Sequence, residues 1–169
     1  NIYSLSIGQG ELLVTPLQMA NLASIIANRG HYYDPKIVIK INDEKLNNSK
    51  INALDINKEH FNYVVNAMEE VVRSGSGRRG YLKELELCGK TSTVQNPHGY
   101  DHSGFIGFAP KENPKIAIAA YIENAGWGAR AATSISSLAA EYYIFKNVKR
   151  SWLEEYVLIG DFIDEEDYQ

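Results

Sequence analysis

The sequence is poor in cysteine, has no long apolar run and carries no excess of positive charge. One Cys among 169 residues excludes an internal disulfide framework and any metal site built from several thiolates. No stretch approaches the roughly 18 consecutive apolar residues that a membrane-spanning helix needs. No signal-peptide pattern opens the chain, and no Met stands at Asn1, so a piece of a longer protein is expected. Lys and Arg number 17 against 21 Asp and Glu, for a net charge of −4, which argues against nucleic acid as the main partner. What is present suits a folded chain: 44% hydrophobic and 22% charged residues exclude general disorder. The acid is concentrated at one end. Residues 160–169 hold five acids and no base, leaving 17 bases against 16 acids elsewhere. The reading is a body over 1–150 and an acidic tail over 151–169, solvated over its last ten residues.

Periodicity predicts an α+β chain. Thr15 caps a helix with Pro16 in its first position and Gln18 three residues after the cap. Met19, Leu22, Ala23 and Ile26 continue that helix, and Gly30 supplies a left-handed stop. The β-branched run over 37–41 reads as a strand, and 42–52 as a polar surface excursion. A second helix is expected over 57–73, with Phe61, Val64, Val65, Met68, Val71 and Val72 as its stripe. The glycine-rich stretch 74–80 reads as a mobile loop. Strands are expected over 85–94, 105–109 and 116–122, the last two joined by a hairpin loop at 110–114. A final helix is expected over 133–149, with Ile135, Leu138, Ala139, Tyr142 and Phe145 on its apolar face. The order implies an antiparallel sheet flanked by helices.

The stretch Gly89-Lys90-Thr91-Ser92-Thr93 is the most informative. A phosphate-binding loop would need a glycine where Glu84 stands and a helix after the Lys-Thr pair, whereas Gln95, Asn96 and Pro97 lead into a turn. The spacing instead allows a strand displaying a cation and hydroxyls beside a cleft, suited to a carboxylate and, along its free edge, to an extended peptide. An ordinary edge strand with outward polar residues satisfies the same spacing. His98, Asp101 and His102 invite a metal reading, but Pro97 and Gly99 oppose the helix that would align them, so neither a metal nor a cofactor is expected. His31 and His60 have no evident partners. Cys88 reads as a buried small hydrophobe, and Trp127, between Gly126 and Gly128, as an aromatic that lines a cleft or packs in the core.

These residues resemble a known family. Ser6-Ile7-Gly8-Gln9-Gly10 and Leu13-Val14-Thr15-Pro16-Leu17-Gln18-Met19-Ala20 are similar to the C-terminal part of the transpeptidase domain of class B penicillin-binding proteins. Cys88-Gly89-Lys90-Thr91-Ser92-Thr93 lies where that family carries its Lys-Thr-Gly-Thr strand. Asp101-His102-Ser103, Phe105-Ile106-Gly107-Phe108-Ala109-Pro110, Ile116-Ala117-Ile118-Ala119 and Glu123-Asn124-Ala125-Gly126-Trp127-Gly128 continue the likeness. It runs from about Ser6 to Tyr143, and the nearest subgroup is the elongation type, penicillin-binding protein 2.

The resemblance implies a partial penicillin-binding-protein/β-lactamase-like fold and a parent serine-type D,D-transpeptidase. Such an enzyme cross-links peptidoglycan stem peptides and is acylated by β-lactams. Lys90, Thr91, Ser92 and Thr93 would bind substrate, and the Thr93 N–H would form half of an oxyanion hole. The family also uses Ser-x-x-Lys and Ser-x-Asn motifs. No serine here has Lys three residues on or Asn two residues on. This chain alone is therefore expected to be inactive, a fragment whose surface against the absent part drives self-association. The parent would face the periplasm at the bacterial inner membrane, through an N-terminal anchor absent here. Two departures stand out: Ser92 replaces the motif glycine, where a side chain would crowd substrate, and Gly104 replaces a large aromatic. They admit an alternative, a non-catalytic peptide-binding or scaffold module with a drifted cleft. A third possibility is interaction through the acidic tail.

Overall fold

The computed structural model describes residues 2–6, 8–38, 40–45 and 50–163. The acidic end over 164–169 lies outside the described residues, and so does part of the polar excursion, at 46–49.

The centre is a three-stranded antiparallel sheet in the order β5-β6-β7, formed by β5 (Cys88–Val94), β6 (His102–Ala109) and β7 (Ile116–Ile122). Both connections are hairpins, and the polar turn residues foreseen between 110 and 114 join β6 to β7. Helices α2 (Pro16–Ala27) and α3 (Lys58–Arg73) contact the sheet at its two ends, α2 on β7 and β6, α3 on β5. Helix α4 (Ala131–Phe145) covers β6 and β7 from the opposite face. The expected α+β class holds, with helices on both faces of an antiparallel sheet.

Local chemistry explains the ends of these elements. Thr15 and Gln18 form a reciprocal capping box: the Gln18 N–H donates to Thr15 Oγ1 at 3.3 Å and the Thr15 N–H to Gln18 Oε1 at 2.8 Å. Gly30 adopts φ +102°, and a Cβ there would sit 2.8 Å from the Phe61 ring, so glycine serves both the turn and the α2–α3 packing. In α3, Phe61, Val65, Met68 and Val72 are the buried stripe. Val65 and Met68 meet Cys88, Phe108 and Ala27. Val72 joins Leu85, Leu87, Phe105, Ala109, Ala132 and Ala140 in the second core cluster.

Four expectations need correction. Of the described residues in the 37–41 run, only Lys40 and Ile41 are strand, β2 (Lys40–Ile41), paired with β3 (Glu44–Lys45). The longer ladder is β1 (His31–Tyr33) with β4 (Ile51–Ala53). Ile37 is 89% exposed, so β-branching there had no sheet face to fill. The final helix ends at Phe145, and its buried face is not the expected stripe. Ala139 and Tyr142 are exposed, while Ala132, Thr133, Ser136, Ser137, Ala140 and Glu141 are buried. Small side chains let α4 lie close against the sheet, and closeness decides which face is inside. The stretch assigned to the tail opens with α5 (Ser151–Ile159), whose Leu153 is fully buried. Finally, 74–80 is a fastened turn. It contains a 3-10 turn at Arg78–Gly80, and the Gly77 N–H donates to the Val71 carbonyl at 2.8 Å. A short helix, α1 (Ile2–Ser6), had no signal strong enough to announce it.

Candidate functional site

β5 has one strand neighbour among the described residues, β6, so its other edge is open. Alternation then divides its residues between two faces. Cys88 packs with Val65, Met68 and Phe108, the core on the α2 and α3 side. Lys90 and Ser92 share that face by register, and Gly89, Thr91 and Thr93 share the α4 face.

Gly89 is required for packing. A Cβ there would fall 2.1 Å from Cζ of Phe105, which is buried in the α4-side core. The glycine of Gly-Lys-Thr therefore admits an aromatic ring. Lys90 is exposed and donates from Nζ to the Thr91 carbonyl at 2.6 Å. Among the described residues it has no ion-pair partner, so its charge remains available at the strand edge.

Both threonine hydroxyls are held by neighbours. Thr91 is buried, with Oγ1 2.7 Å from Ser76 Oγ. Thr93 Oγ1 accepts from the Gly128 N–H at 3.2 Å. Gly128 sits where no side chain fits, because a Cβ would lie 2.1 Å from the Ser92 carbonyl oxygen and 2.6 Å from that of Gly104. The Gly128 carbonyl accepts from the Thr133 hydroxyl at 2.7 Å, which ties the turn to the start of α4. Ser103 Oγ does the same from β6, donating to the Trp127 carbonyl and accepting from the Ala132 N–H, both at 3.0 Å. Trp127 itself is 50% exposed and belongs to the rim rather than the core.

Ser92 and Gly104 face each other across the β5–β6 ladder. An ideal Cβ on Gly104 would fall 2.1 Å from Ser92 Oγ. The serine hydroxyl occupies the room that the missing side chain leaves. The two positions noted in the sequence thus pack against each other across the ladder, with the Ser92 hydroxyl over Gly104.

His98, Asp101 and His102 organise the hairpin rim. Asp101 Oδ1 accepts from the Asn96 N–H at 3.2 Å, and His102 Nδ1 accepts from the Asn124 N–H at 3.0 Å. Asn96 Nδ2 donates to Asn124 Oδ1 at 2.8 Å, which zips the β5–β6 hairpin to the turn after β7. His98 is exposed and donates its backbone N–H to Asn96 Oδ1. Cys88 is fully buried and free, and burial pushes its thiol from an ordinary 9.0 to about 12, so it is no nucleophile at neutral pH.

Sequence reasoning singled out Lys90, Thr91, Ser92 and Thr93, and the structure places them consecutively on the open strand. It missed Ser76 and Gly128, which touch the two threonines from 15 and 35 residues away. Only the glycine content around each could have drawn attention to them.

Comparison with known proteins adds an independent finding. The family model described as "Penicillin binding protein transpeptidase domain" matches residues 1–148. The chain is 31% identical over 166 residues to the "Peptidoglycan D,D-transpeptidase MrdA" of Acinetobacter baumannii, covering 86% of this chain and 25% of that protein. Among solved structures it resembles the PBP2 of Pseudomonas aeruginosa in complex with WCK 5153, with TM-score 0.68 and 27% identity, covering 86% of this chain and 33% of that one. It also resembles the imipenem acyl-enzyme complex of penicillin-binding protein A from M. tuberculosis, with TM-score 0.63 and 26% identity over 72% of this chain and 29% of that one. The chain therefore spans about a quarter of the length of the curated relatives it matches.

Proposed function

The chain belongs to the family of penicillin binding protein transpeptidase domains, and we propose that it is the part of a peptidoglycan D,D-transpeptidase that holds substrate along β5. The observation that carries this reading is the open strand on which Lys90, Thr91 and Thr93 stand together, each hydroxyl oriented by a neighbour.

Each residue has a physical role in the proposal. Lys90 supplies a positive charge for the carboxylate of a stem peptide or of a β-lactam, and Thr91 and Thr93 donate hydrogen bonds to it. Residues two apart on a strand direct their backbone groups to the same side. The Thr91 carbonyl accepts from Lys90 Nζ, and on this reading it lies on the open edge. The Thr93 N–H follows it and forms half of an oxyanion hole. The acylated serine, its lysine base and the other half of the hole come from sequence outside the 169 residues, since no Ser-x-x-Lys or Ser-x-Asn occurs within them. The chain alone is inactive on this reading. Its exposed apolar residues, among them Ile2, Leu12, Leu13 and Leu17, meet the rest of the domain, and in its absence the chain self-associates. The longer protein works outside the bacterial inner membrane, held by an anchor in sequence not present here.

A second reading, a peptide-binding module without chemistry, draws on the chain's own lack of a nucleophile. A fluorescent penicillin separates the two in the longer protein. On the leading reading that protein is labelled covalently, and Lys90→Ala slows labelling roughly ten- to a hundredfold, the worth of a hydrogen bond to a charged group. An unlabelled wild-type protein, or labelling indifferent to Lys90→Ala, would overturn it.

A further inference from the structure

We infer that Ser76 is a positioning residue for the substrate-binding strand, and that the turn carrying it is held by a buried ion-pair clamp for that purpose. The inference rests on the proposed role of β5.

Ser76 is exposed and lies in the 74–80 turn, with Oγ 2.7 Å from Thr91 Oγ1. A threonine hydroxyl has one proton and two acceptor sites. If Ser76 donates, the Thr91 proton stays free for a ligand, and its direction is set by the bond it receives. The same arrangement recurs two residues along, where Thr93 Oγ1 accepts from the Gly128 N–H. With Ser76 as the donor, two alternate hydroxyls on one open strand each receive a hydrogen bond from a flanking turn. Each can then offer its own proton to a single anion.

The turn cannot drift, because both of its ends are tied. At its start the Gly75 N–H donates to the Glu70 carbonyl at 3.0 Å and the Gly77 N–H to the Val71 carbonyl at 2.8 Å, which continue the end of α3. At its finish the Gly80 carbonyl accepts from the Ser137 hydroxyl at 2.6 Å and from Arg150 Nη1 at 3.1 Å. Arg150 Nε and Nη2 both reach Glu141 Oε2 at 2.9 Å, and Nη2 also donates to Ser137 Oγ at 2.7 Å. Glu141 is fully buried, and its second oxygen accepts from the Lys149 N–H at 2.8 Å. Gly80 comes close enough to α4 that a Cβ would sit 3.0 Å from Thr133 Cγ2. Arg150 follows α4 and opens α5, so the clamp joins α4, the start of α5 and the turn, and Ser76 passes that rigidity to Thr91.

The test measures acylation of the longer protein by benzylpenicillin and by its methyl ester, which lacks the carboxylate. Ser76→Ala should slow the reaction with benzylpenicillin by about tenfold and leave that with the ester within about twofold. Ser76→Thr, which keeps the hydroxyl, should restore the wild-type rate. In a Thr91→Val background Ser76→Ala should cost nothing further, since two residues acting through one hydroxyl are not additive. An equal loss with both compounds, no loss with benzylpenicillin, or full additivity with Thr91→Val would each overturn the inference. Lys90→Ala is run alongside. Its indifference would count against the proposed function, whereas an active role for Lys90 with an inert Ser76 would sink the positioning role alone.

Discussion

The sheet with α3 and α4, and the stretch before α3, treat hydrophobic residues in opposite ways. In the first, Phe105, Phe108, Leu85, Val65 and Val72 are all but sealed from solvent. In the second, over the described residues from 2 to 56, only Ala23, Ala27 and Gly30 are buried. Leu13 there is 90% exposed, and Ile2, Leu12, Leu17, Ile37 and Ile41 point outward with it. The composition of the two regions is alike in kind, so the difference lies in what each has to pack against. The first packs on itself around β6. The second presents an apolar surface of the sort that marks an interface.

The largest effect expected from breaking this contrast is at the clamp. Arg150→Met leaves Glu141 buried without its cation and should cost about 3–5 kcal/mol, read as a lower urea midpoint with an unchanged slope. Replacing both members with apolar residues should recover much of that loss, because no buried charge then remains unpaired. The next effect is in the ladder. Gly104→Ala sets a methyl against the Ser92 hydroxyl and should cost about 1–3 kcal/mol. Ser92→Gly should relieve it, which a double-mutant cycle in the same assay would register as coupling.

A third effect shows only in alkali. The folded Cys88 thiol is raised by burial to about 12 against 9.0 when free. The unfolded chain therefore loses its thiol proton first as pH rises. Stability contributed by this group is complete below pH 9.0 and is lost progressively towards about 12. Denaturation across that window should show a decline that Cys88→Ala shortens. The smallest effect belongs to the other region. Leu13→Ser should change stability by no more than about 0.5 kcal/mol while weakening self-association measured by sedimentation. A large loss of stability instead would mean that the outward leucines already serve the fold.

How much the sequence disclosed follows the same division. Elements whose signals are local were legible: the Thr15–Gln18 capping box, the helical spacing of Phe61, Val65, Met68 and Val72, and the alternation along 116–122. The run at 37–41 misled because a strand needs a partner, and among the described residues none adjoins Ile37 or Val38. The α4 face misled because large residues were expected inside, whereas close approach to the sheet admits Ala132, Ser136 and Ala140. Lys90 and the threonines were named from a motif that sets them within five residues, and β5 carries all three. Ser76, Gly128 and the pairing of Ser92 with Gly104 were not, since each depends on chain segments brought together only by the fold.

The central claim is that this chain supplies the strand that holds the substrate and that the acylated serine lies elsewhere. The most direct test is to map, by mass spectrometry of peptides, the residue that carries the penicilloyl adduct in the longer protein. The account predicts an adduct on a serine of a Ser-x-x-Lys sequence outside residues 1–169, with this chain by itself unmodified under the same treatment. An adduct on any serine within the chain, Ser92 and Ser103 included, would contradict it.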